Sequence, residues 1–400
     1  MNSTVRIEMV STGDEVLYGQ IVDTNAAWLA DFLFQQGFLI TSRFTVGDDL
    51  VQLINALQKR SIENDILIIN GGLGPTSDDL SALAAAKANN EELVLHQEWL
   101  SVMENYFISR GKEMSPANIK QAMLPKSATI IDNPVGTACG FRMVINDCVI
   151  YFTPGVPSEF KEMVKSQILP DIKNQYPQII KPLCYRLTTI GRSESDLATE
   201  IDSKLAIPAN ISVGYRSAMP IIELKLTADE SMRPQMDQIW TQLKAIVKDN
   251  LVYEGTIGLA GVVSELAQQQ SQQLIILEQK TAGLMAYQLY DNNAPVIKSE
   301  VLSQNSNIRE AAKNLQSQYP NALILFLGDF SEDIFHLCLM TSQKIFCYKL
   351  KYNSRRHTKQ TEQEIFSAIG LDALRRYLTK QPLIAPNIWL DVLDEDITIN

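Results

Sequence analysis

The chain has 400 residues, of which 46% are hydrophobic and 20% are charged, and its formal net charge is −11. This length predicts two or three domains, because single hydrophobic cores stop growing at smaller sizes. The negative charge argues against a nucleic-acid partner, which needs clustered lysine and arginine, and no segment reaches the roughly 18 consecutive apolar residues of a membrane-spanning helix.

Cysteine and histidine usage bounds the kind of metal site and the compartment. The five cysteines form no Cys-x-x-Cys pair, and the chain has only three histidines. This pattern disfavours a zinc-type site and predicts reduced, mostly buried thiols, so any metal should have oxygen ligands. Because the N-terminal residues lack the apolar stretch of a secretory signal, we expect a cytoplasmic protein with no membrane partner.

Strand and helix patterns alternate through the first 172 residues. Strands are predicted at 6–12, 38–46, 65–69 and 149–152, and helices at 24–36, 50–63, from 81 onward, and at 160–169. This order predicts a largely parallel sheet that is covered by helices on both faces. In such sheets ligands bind beyond the carboxyl ends of the strands.

A glycine-rich turn follows the third predicted strand. It consists of Gly71, Gly72, Leu73, Gly74, Pro75 and Thr76. Glycine lacks a Cβ, so several backbone N–H groups of such a turn can approach an anion, and the start of the next helix adds positive charge. Phosphate is the expected ligand, and a turn that needs glycine only for its geometry is the alternative. The spacing fits neither a Walker loop nor a dinucleotide fingerprint.

Acidic side chains follow three of the predicted strands. They are Asp14, Glu15, Asp48, Asp49, Asp78 and Asp79. Gathered at one sheet edge, these carboxylates would repel one another, and a divalent cation would offset that repulsion. Loop and helix-cap roles are the alternative for the first four. Lys120 and Lys161 are candidate positive partners, although a surface lysine is more often simply solvated.

The fourth strand ends in a loop with two prolines. It contains Pro154, Gly155, Val156, Pro157, Ser158 and Glu159. The prolines stiffen the loop, and Ser158 is predicted to cap the next helix. An ordinary chain reversal is an equally weighted interpretation.

Two further domains are predicted after the proline-punctuated linker at 176–182. The first has a strand at 184–190, a helix at 193–205, a hairpin at 211–216 and 221–227, and a helix at 236–250. The second has a helix at 258–270, strands at 274–277 and 322–328, an edge-like strand at 345–351 and a helix at 362–378.

Several motifs in the first 170 residues together resemble the competence/damage-inducible CinA family. They are Ser11 to Glu15, Gly19 to Asn25, Val46 to Asp48, Gly71 to Asp79, Asn133 to Ala138, and Pro154 to Glu159. The resemblance implies an α/β fold with a three-layer, parallel-sheet, molybdopterin-binding-like domain at 1–172. It further implies a small α+β domain of the KH type at 178–254 and a C-terminal α/β domain at 257–400.

The resemblance also implies metal-dependent hydrolysis of the pyrophosphate of ADP-ribose. Cobalt would serve best, with magnesium or manganese possible and potassium assisting, and a homodimer would act on a small nucleotide. Carried onto this chain, the catalytic residues are Asp79, Asp48 and Lys120, and the metal ligands are Asp14, Asp48, Asp78 and Asp79. The substrate-binding residues are Thr12, Gly13, Asn25, Gly71, Gly72, Leu73, Gly74, Pro75, Thr76, Pro154, Gly155, Pro157 and Ser158.

Many CinA proteins carry a C-terminal nicotinamide mononucleotide deamidase with a serine nucleophile in Glu-Ser-Cys-Thr-Gly-Gly. The matching stretch here is Glu-Gln-Lys-Thr-Ala-Gly, with Gln279 at the nucleophile position. A carboxamide cannot serve as that nucleophile, so the third domain is predicted to be an inactive copy. Alternatives to the pyrophosphatase are a nucleotide- or pterin-binding module without turnover, molybdopterin adenylyl transfer and, least favoured, the deamidase.

Overall fold

A computed structural model describes residues 5–353 and 357–399. Its contacts divide the chain into two compact units, Met1–Pro182 and Leu183–Asn400. The predicted boundary near residue 255 lies inside the second unit and stays a prediction.

The described residues of the first unit form eight strands and seven α-helices. The strands are β1 (Ile7–Thr12), β2 (Ile40–Val46), β3 (Ile66–Asn70), β4 (Leu93–Leu95), β5 (Met123–Pro125), β6 (Thr129–Ile131), β7 (Gly140–Ile145) and β8 (Cys148–Thr153). The helices are α1 (Asp14–Leu17), α2 (Thr24–Gln35), α3 (Leu50–Glu63), α4 (Ser81–Ala88), α5 (Gln97–Ser109), α6 (Pro157–Met163) and α7 (Leu169–Gln175). A 3₁₀ helix covers Pro116–Ala122, and a π-helical turn at Val164–Ile168 joins α6 to α7.

The main sheet has the strand order β2-β1-β3-β8-β7-β6. The first four strands are parallel, and β7 runs antiparallel to β8 and to β6. One face packs against α3, α4 and α5, and the other against α2, α6 and α7. The predicted α/β class and three-layer parallel sheet are thus confirmed, and the carboxyl ends of β2, β1, β3 and β8 lie side by side.

Two helix starts in this unit are capped by aspartate side chains. The Asp23 side chain accepts a hydrogen bond from the Ala26 N–H at 2.9 Å, and Asp49 accepts one from the Gln52 N–H at 2.8 Å. Both carboxylates satisfy N–H groups that have no partner inside the helix. The predicted Ser158 cap is wrong: α6 begins at Pro157, which needs no N–H partner there, so Ser158 lies within the first turn.

In the second unit, residues 183–353 and 357–399 form ten strands and six α-helices. The strands are β9 (Leu183–Ile190), β10 (Ser212–Ala218), β11 (Ile221–Ala228), β12 (Leu251–Glu254), β13 (Leu274–Glu278), β14 (Val296–Val301), β15 (Leu323–Ser331), β16 (Ile334–Met340), β17 (Lys344–Tyr352) and β18 (Leu390–Ile399). The helices are α8 (Glu194–Lys204), α9 (Arg233–Ile246), α10 (Leu259–Gln269), α11 (Leu284–Asp291), α12 (Ile308–Gln318) and α13 (Lys359–Leu378), with a 3₁₀ turn at Glu230–Met232.

These strands form two sheets, ordered β10-β11-β9-β12 and β14-β13-β15-β16-β17-β18. The predicted edge strand at 345–351 is wrong, because β18 pairs with its far side. The KH type of the smaller, α+β part stays a prediction.

Cysteine pairing differs from the prediction. Cys338 and Cys347 lie opposite each other on β16 and β17 and form a disulfide, so reduced thiols are wrong for this pair. Cys139 and Cys148 are free and buried as predicted, and burial raises the pKa of each thiol to about 12. Within the described residues, no helix has both the length and the apolar character to span a membrane.

Candidate functional site at the carboxyl ends of the strands

A cavity of about 520 Å³ lies where β1, β3 and β8 end in the first unit. Most of the predicted site residues line it. These are Thr12, Gly13, Asn25, Asp48, Gly71, Gly72, Leu73, Gly74, Pro75, Asp78, Asp79, Pro154, Gly155 and Pro157. The parallel topology therefore brings together the strand-end clusters as the sequence predicted.

The glycine turn presents backbone N–H groups to this cavity. Gly71 and Gly72 have φ values of +112° and +69°, which disfavour any residue with a Cβ, and a Cβ on Gly71 would lie 2.6 Å from Thr12 Oγ1. Within residues 5–353 and 357–399, no acceptor bonds the N–H of Gly72, Leu73 or Gly74. Leu73 is buried and Gly72 and Gly74 are half-buried. Buried N–H groups are nearly always paired, so the Leu73 N–H and its two neighbours are suited to an external acceptor such as a phosphate oxygen.

The turn is held against helix α4 by Ser81, which is only 1% exposed. Its hydroxyl donates to the Gly71 carbonyl at 2.8 Å, and its N–H donates to the Gly72 carbonyl at 3.1 Å. These bonds occupy the two glycine carbonyls and leave the following N–H groups free to face the cavity.

Asp14 and Asp48 join the ends of β1 and β2. The Asp14 N–H donates to Asp48 Oδ2 at 3.1 Å, and the Asp48 N–H donates to Asp14 Oδ1 at 3.2 Å. Burial raises the pKa of Asp48, and the charges of Asp14, Glu15 and Asp78 raise it further, against the Asp14 N–H, which lowers it. Asp48 is thus a more basic carboxylate than an ordinary aspartate.

Asp78 and Asp79 lie in a different environment. The Thr76 hydroxyl, the Asp78 backbone N–H and the charge of Lys120 lower the pKa of Asp78. Asp79 Oδ2 accepts hydrogen bonds from the Thr76 N–H at 2.8 Å and from its hydroxyl at 2.5 Å. Asp78 therefore stays ionised to lower pH than an ordinary aspartate. Asp79 fixes the end of the glycine turn through its two bonds to Thr76.

Four predicted residues do not line the cavity. The Asp14 carboxylate accepts the Asp48 N–H, and the Thr76 hydroxyl donates to the Asp79 carboxylate. Lys120 donates to the Thr76 carbonyl and lines an adjoining small pocket with Asp79. Ser158 lies in the first turn of α6. Lys161, the other candidate cation, lies 5.7 Å from the Trp28 ring centre.

The predicted four-carboxylate ligand set is not assembled. Among the described residues, no group of three or more His, Cys, Asp or Glu side chains is placed to hold a metal ion. The reason is local, since the Asp14, Asp48 and Asp79 carboxylates each accept a backbone N–H bond. The site still fits a magnesium-like cation, which proteins commonly hold with one or two carboxylates plus the phosphate oxygens of a substrate. Asp78 would hold it here.

Several polar residues of the cavity wall escaped the sequence analysis as ligand-binding candidates, among them Asn70, Gln121 and Glu159. Asn70 ends the fully buried strand β3, and a polar residue at that position was the available signal. Gln121 accepts from the Thr137 hydroxyl at 3.3 Å, and Glu159 accepts from Asn133 Nδ2 at 2.7 Å. Both depend on loops that meet only in the folded chain.

Comparison with known proteins identifies the family of the chain. Residues 8–174 match the family model described as a probable molybdopterin binding domain. CinA-like proteins of Escherichia coli (strain SMS-3-5 / SECEC) and Shigella flexneri are each 46% identical over 394 residues, which is 98% of this chain and 98% of theirs. The chain belongs to the CinA-like family.

Solved structures resemble the first part of this CinA-like chain. The CinA protein of Thermoplasma acidophilum is 31% identical, with a TM-score of 0.39, and the match covers 42% of this chain and 98% of that one. The molybdopterin biosynthesis enzyme MoaB of Thermus thermophilus is 16% identical, with a TM-score of 0.31, and the match covers 44% and 96% respectively.

Proposed function

We propose that the first unit hydrolyses the diphosphate linkage of ADP-ribose or a related nucleotide diphosphate, assisted by a divalent cation such as cobalt, magnesium or manganese. The observation that carries the proposal is the run of N–H groups at Gly72, Leu73 and Gly74, which have no acceptor within the described part of the chain and belong to residues that line the same cavity as Asp48 and Asp78. Donors for phosphate oxygens and carboxylates for a cation are the two requirements of this chemistry.

The glycine turn would bind one phosphate of the substrate. Its N–H groups are fixed by the hydrogen bonds of Ser81 before any ligand arrives, so they need no reorganisation as negative charge develops. A bound cation would neutralise the diphosphate and polarise a phosphoryl oxygen.

The two carboxylates would divide the remaining work according to their acidity. Asp78 has a lowered pKa and stays ionised, which suits a cation ligand. Asp48 has a raised pKa and is the better proton acceptor from water. The water oxygen bonds to phosphorus while the bridging P–O bond breaks, and ADP-ribose yields AMP and ribose 5-phosphate.

The test is AMP release from ADP-ribose by the full chain with magnesium, manganese or cobalt. Asp78→Asn and Asp48→Asn should each lower kcat/KM on the order of 100-fold, since a cation ligand and a general base at such sites are each worth at least that much. Asp147→Asn is the matched control, because Asp147 lies in the β7–β8 turn at the opposite end of the sheet. Absence of AMP release with every cation would refute the proposal.

A second candidate is a nucleotide- or pterin-binding module without turnover. The observation in its favour is that no three metal-ligating side chains gather among the described residues. Binding of ADP-ribose or a pterin to the wild-type chain, with no AMP release at any cation concentration, would favour this candidate over hydrolysis.

A further inference from the structure

Asn25, in the first turn of α2, is held in one orientation by two hydrogen bonds. Its Nδ2 donates to Asn70 Oδ1 at 2.9 Å and to the Gly155 carbonyl at 2.8 Å. Asn70 is fixed in turn, since its own Nδ2 donates to the Pro154 carbonyl at 2.7 Å and to Thr153 Oγ1 at 3.3 Å. Because each Nδ2 faces only acceptors, the oxygen and nitrogen positions of both amides are determined.

The oxygen of this fixed amide has no partner. Asn25 is 6% exposed, and among the described residues no group donates a hydrogen bond to its Oδ1. The same residue lines the 520 Å³ cavity. Buried side-chain acceptors are almost always satisfied, so an unpaired one beside a cavity marks the place where a ligand supplies a donor.

The position of Asn25 decides which part of the ligand that donor belongs to. Helix α2 packs on one face of the sheet, whereas Asp78 and Asp79 lead into α4 on the other face. Asp48 follows β2, and Asn25 touches Gly155, which follows β8, with β1 and β3 between them. At about 4.8 Å per strand, the β2 and β8 ends are roughly 14 Å apart. A cation held by the carboxylates therefore lies away from Asn25.

Phosphate is also a poor partner for this oxygen. Ionised phosphate groups offer only acceptors, so one placed against Asn25 Oδ1 would be repelled. A sugar hydroxyl is a neutral donor, and in a nucleotide the sugar that carries it is esterified directly to the diphosphate. Building on the proposed function, we propose that Asn25 Oδ1 accepts a hydrogen bond from a ribose hydroxyl and makes the cavity selective for ribonucleotides.

The experiment is a double-mutant cycle between protein and ligand. Dissociation constants are measured by calorimetry on the full chain for ADP-ribose, for its 2′-deoxy and 3′-deoxy adenosine forms, and for ADP, which lacks the second ribose. In the wild type, loss of the contacted hydroxyl should weaken binding about five- to ten-fold, the value of one neutral hydrogen bond. In Asn25→Ala that penalty should disappear.

Asn70→Ala is the matched control for disturbance of the amide chain. It removes a partner of Asn25 but leaves Oδ1 in place, so binding of all four probes should weaken together while the hydroxyl penalty persists. A penalty that is absent from the wild type, or that survives in Asn25→Ala, overturns the inference and leaves the hydrolysis proposal standing. Binding with the predicted cycle but without AMP release overturns hydrolysis alone, and no binding of any probe overturns both.

Discussion

Asp48 and Asp78 differ in acidity although both side chains line the same cavity. Burial and three neighbouring carboxylates raise the pKa of Asp48, whereas the Thr76 hydroxyl and Lys120 lower that of Asp78. On acidification, Asp48 therefore takes up a proton first. The difference comes from side chains that are far apart in sequence, since Glu15 and Asp78 both act on Asp48.

We therefore predict an acid limb in the pH profile of hydrolysis. If Asp48 acts as a base, kcat/KM is full above its raised pKa and falls as pH drops through that value, which exceeds the ordinary 3.8. Glu15→Gln removes one repelling charge, lowers the pKa of Asp48 and should move the limb to lower pH. The limb is read from kcat/KM for ADP-ribose across pH, and a limb that does not move in Glu15→Gln contradicts this role.

At the scale of elements, Ser81 connects the glycine turn to helix α4. Ser81→Ala leaves the buried Gly71 carbonyl without a partner, which should lower the free energy of unfolding by about 1–2 kcal/mol. The better helix propensity of alanine offsets about 0.5 kcal/mol of the loss. The measurement is urea denaturation, and weaker binding of ADP-ribose should accompany the loss because the N–H groups of the turn are no longer fixed.

Ser101→Ala is the control for this variant. The Ser101 hydroxyl also donates to a backbone carbonyl, that of Gln97 at 3.0 Å, but on an exposed helix surface where water can replace it. Its removal should change the free energy of unfolding by less than about 0.5 kcal/mol. Equal effects of the two substitutions would show that burial of the Gly71 carbonyl has no energetic consequence.

Elements with a continuous apolar pattern could be predicted from the sequence, and elements defined by their neighbours could not. The run at 65–69 becomes β3 with all five residues buried, because a central parallel strand is covered on both faces. Strand β18, in contrast, reads Leu-Asp-Val-Leu-Asp-Glu-Asp, an acidic pattern that pairs only because β17 offers an edge. The Cys338–Cys347 disulfide was missed for the same reason.

The same distinction separates the features of the candidate site that could be predicted from those that could not. Strand-end clusters could be located from the sequence, because parallel topology places them at one edge. The contact between Asn25 and Asn70 joins residues 45 positions apart, and the exchange of bonds between Asp14 and Asp48 spans 34. No local pattern encodes such pairs, so the sequence predicted a metal cluster where the fold uses three of the four carboxylates to hold loops.

At the scale of the whole molecule, the two units differ in whether the backbone N–H groups that follow their strands have hydrogen-bond acceptors. All residues that line the 520 Å³ cavity at the glycine turn belong to the first unit, where the N–H groups of Gly72, Leu73 and Gly74 have no acceptor among the described residues. In the second unit, the backbone N–H groups that follow strand β13 already have a partner within the protein. Glu278 is 1% exposed and accepts from the N–H groups of Gly283, Met285 and Ala286 at 2.9–3.2 Å.

Gln279, the residue after Glu278, also bonds backbone groups of the second unit. Its Nε2 donates to the Ser303 and Ser306 carbonyls at 3.0 and 3.3 Å, and its Oε1 accepts from the Asp329 N–H at 2.9 Å. The full chain should release no ammonia from nicotinamide mononucleotide. Gln279→Ser should not create that activity. It should lower the free energy of unfolding by about 1–3 kcal/mol, because the Ser303 and Ser306 carbonyls and the Asp329 N–H lose their hydrogen-bond partner.

Gln360→Ser, on the exposed start of α13, makes the same change without those bonds and should be nearly neutral. At temperatures where the variant stays folded, Gln279→Ser should also hydrolyse ADP-ribose as the wild type does. The reason is that Gln279 does not line the cavity at the glycine turn. Ammonia release by the wild type would reveal another nucleophile in the second unit. A Gln279→Ser variant as stable as Gln360→Ser would show instead that the amide is a remnant of lost catalysis with no structural role.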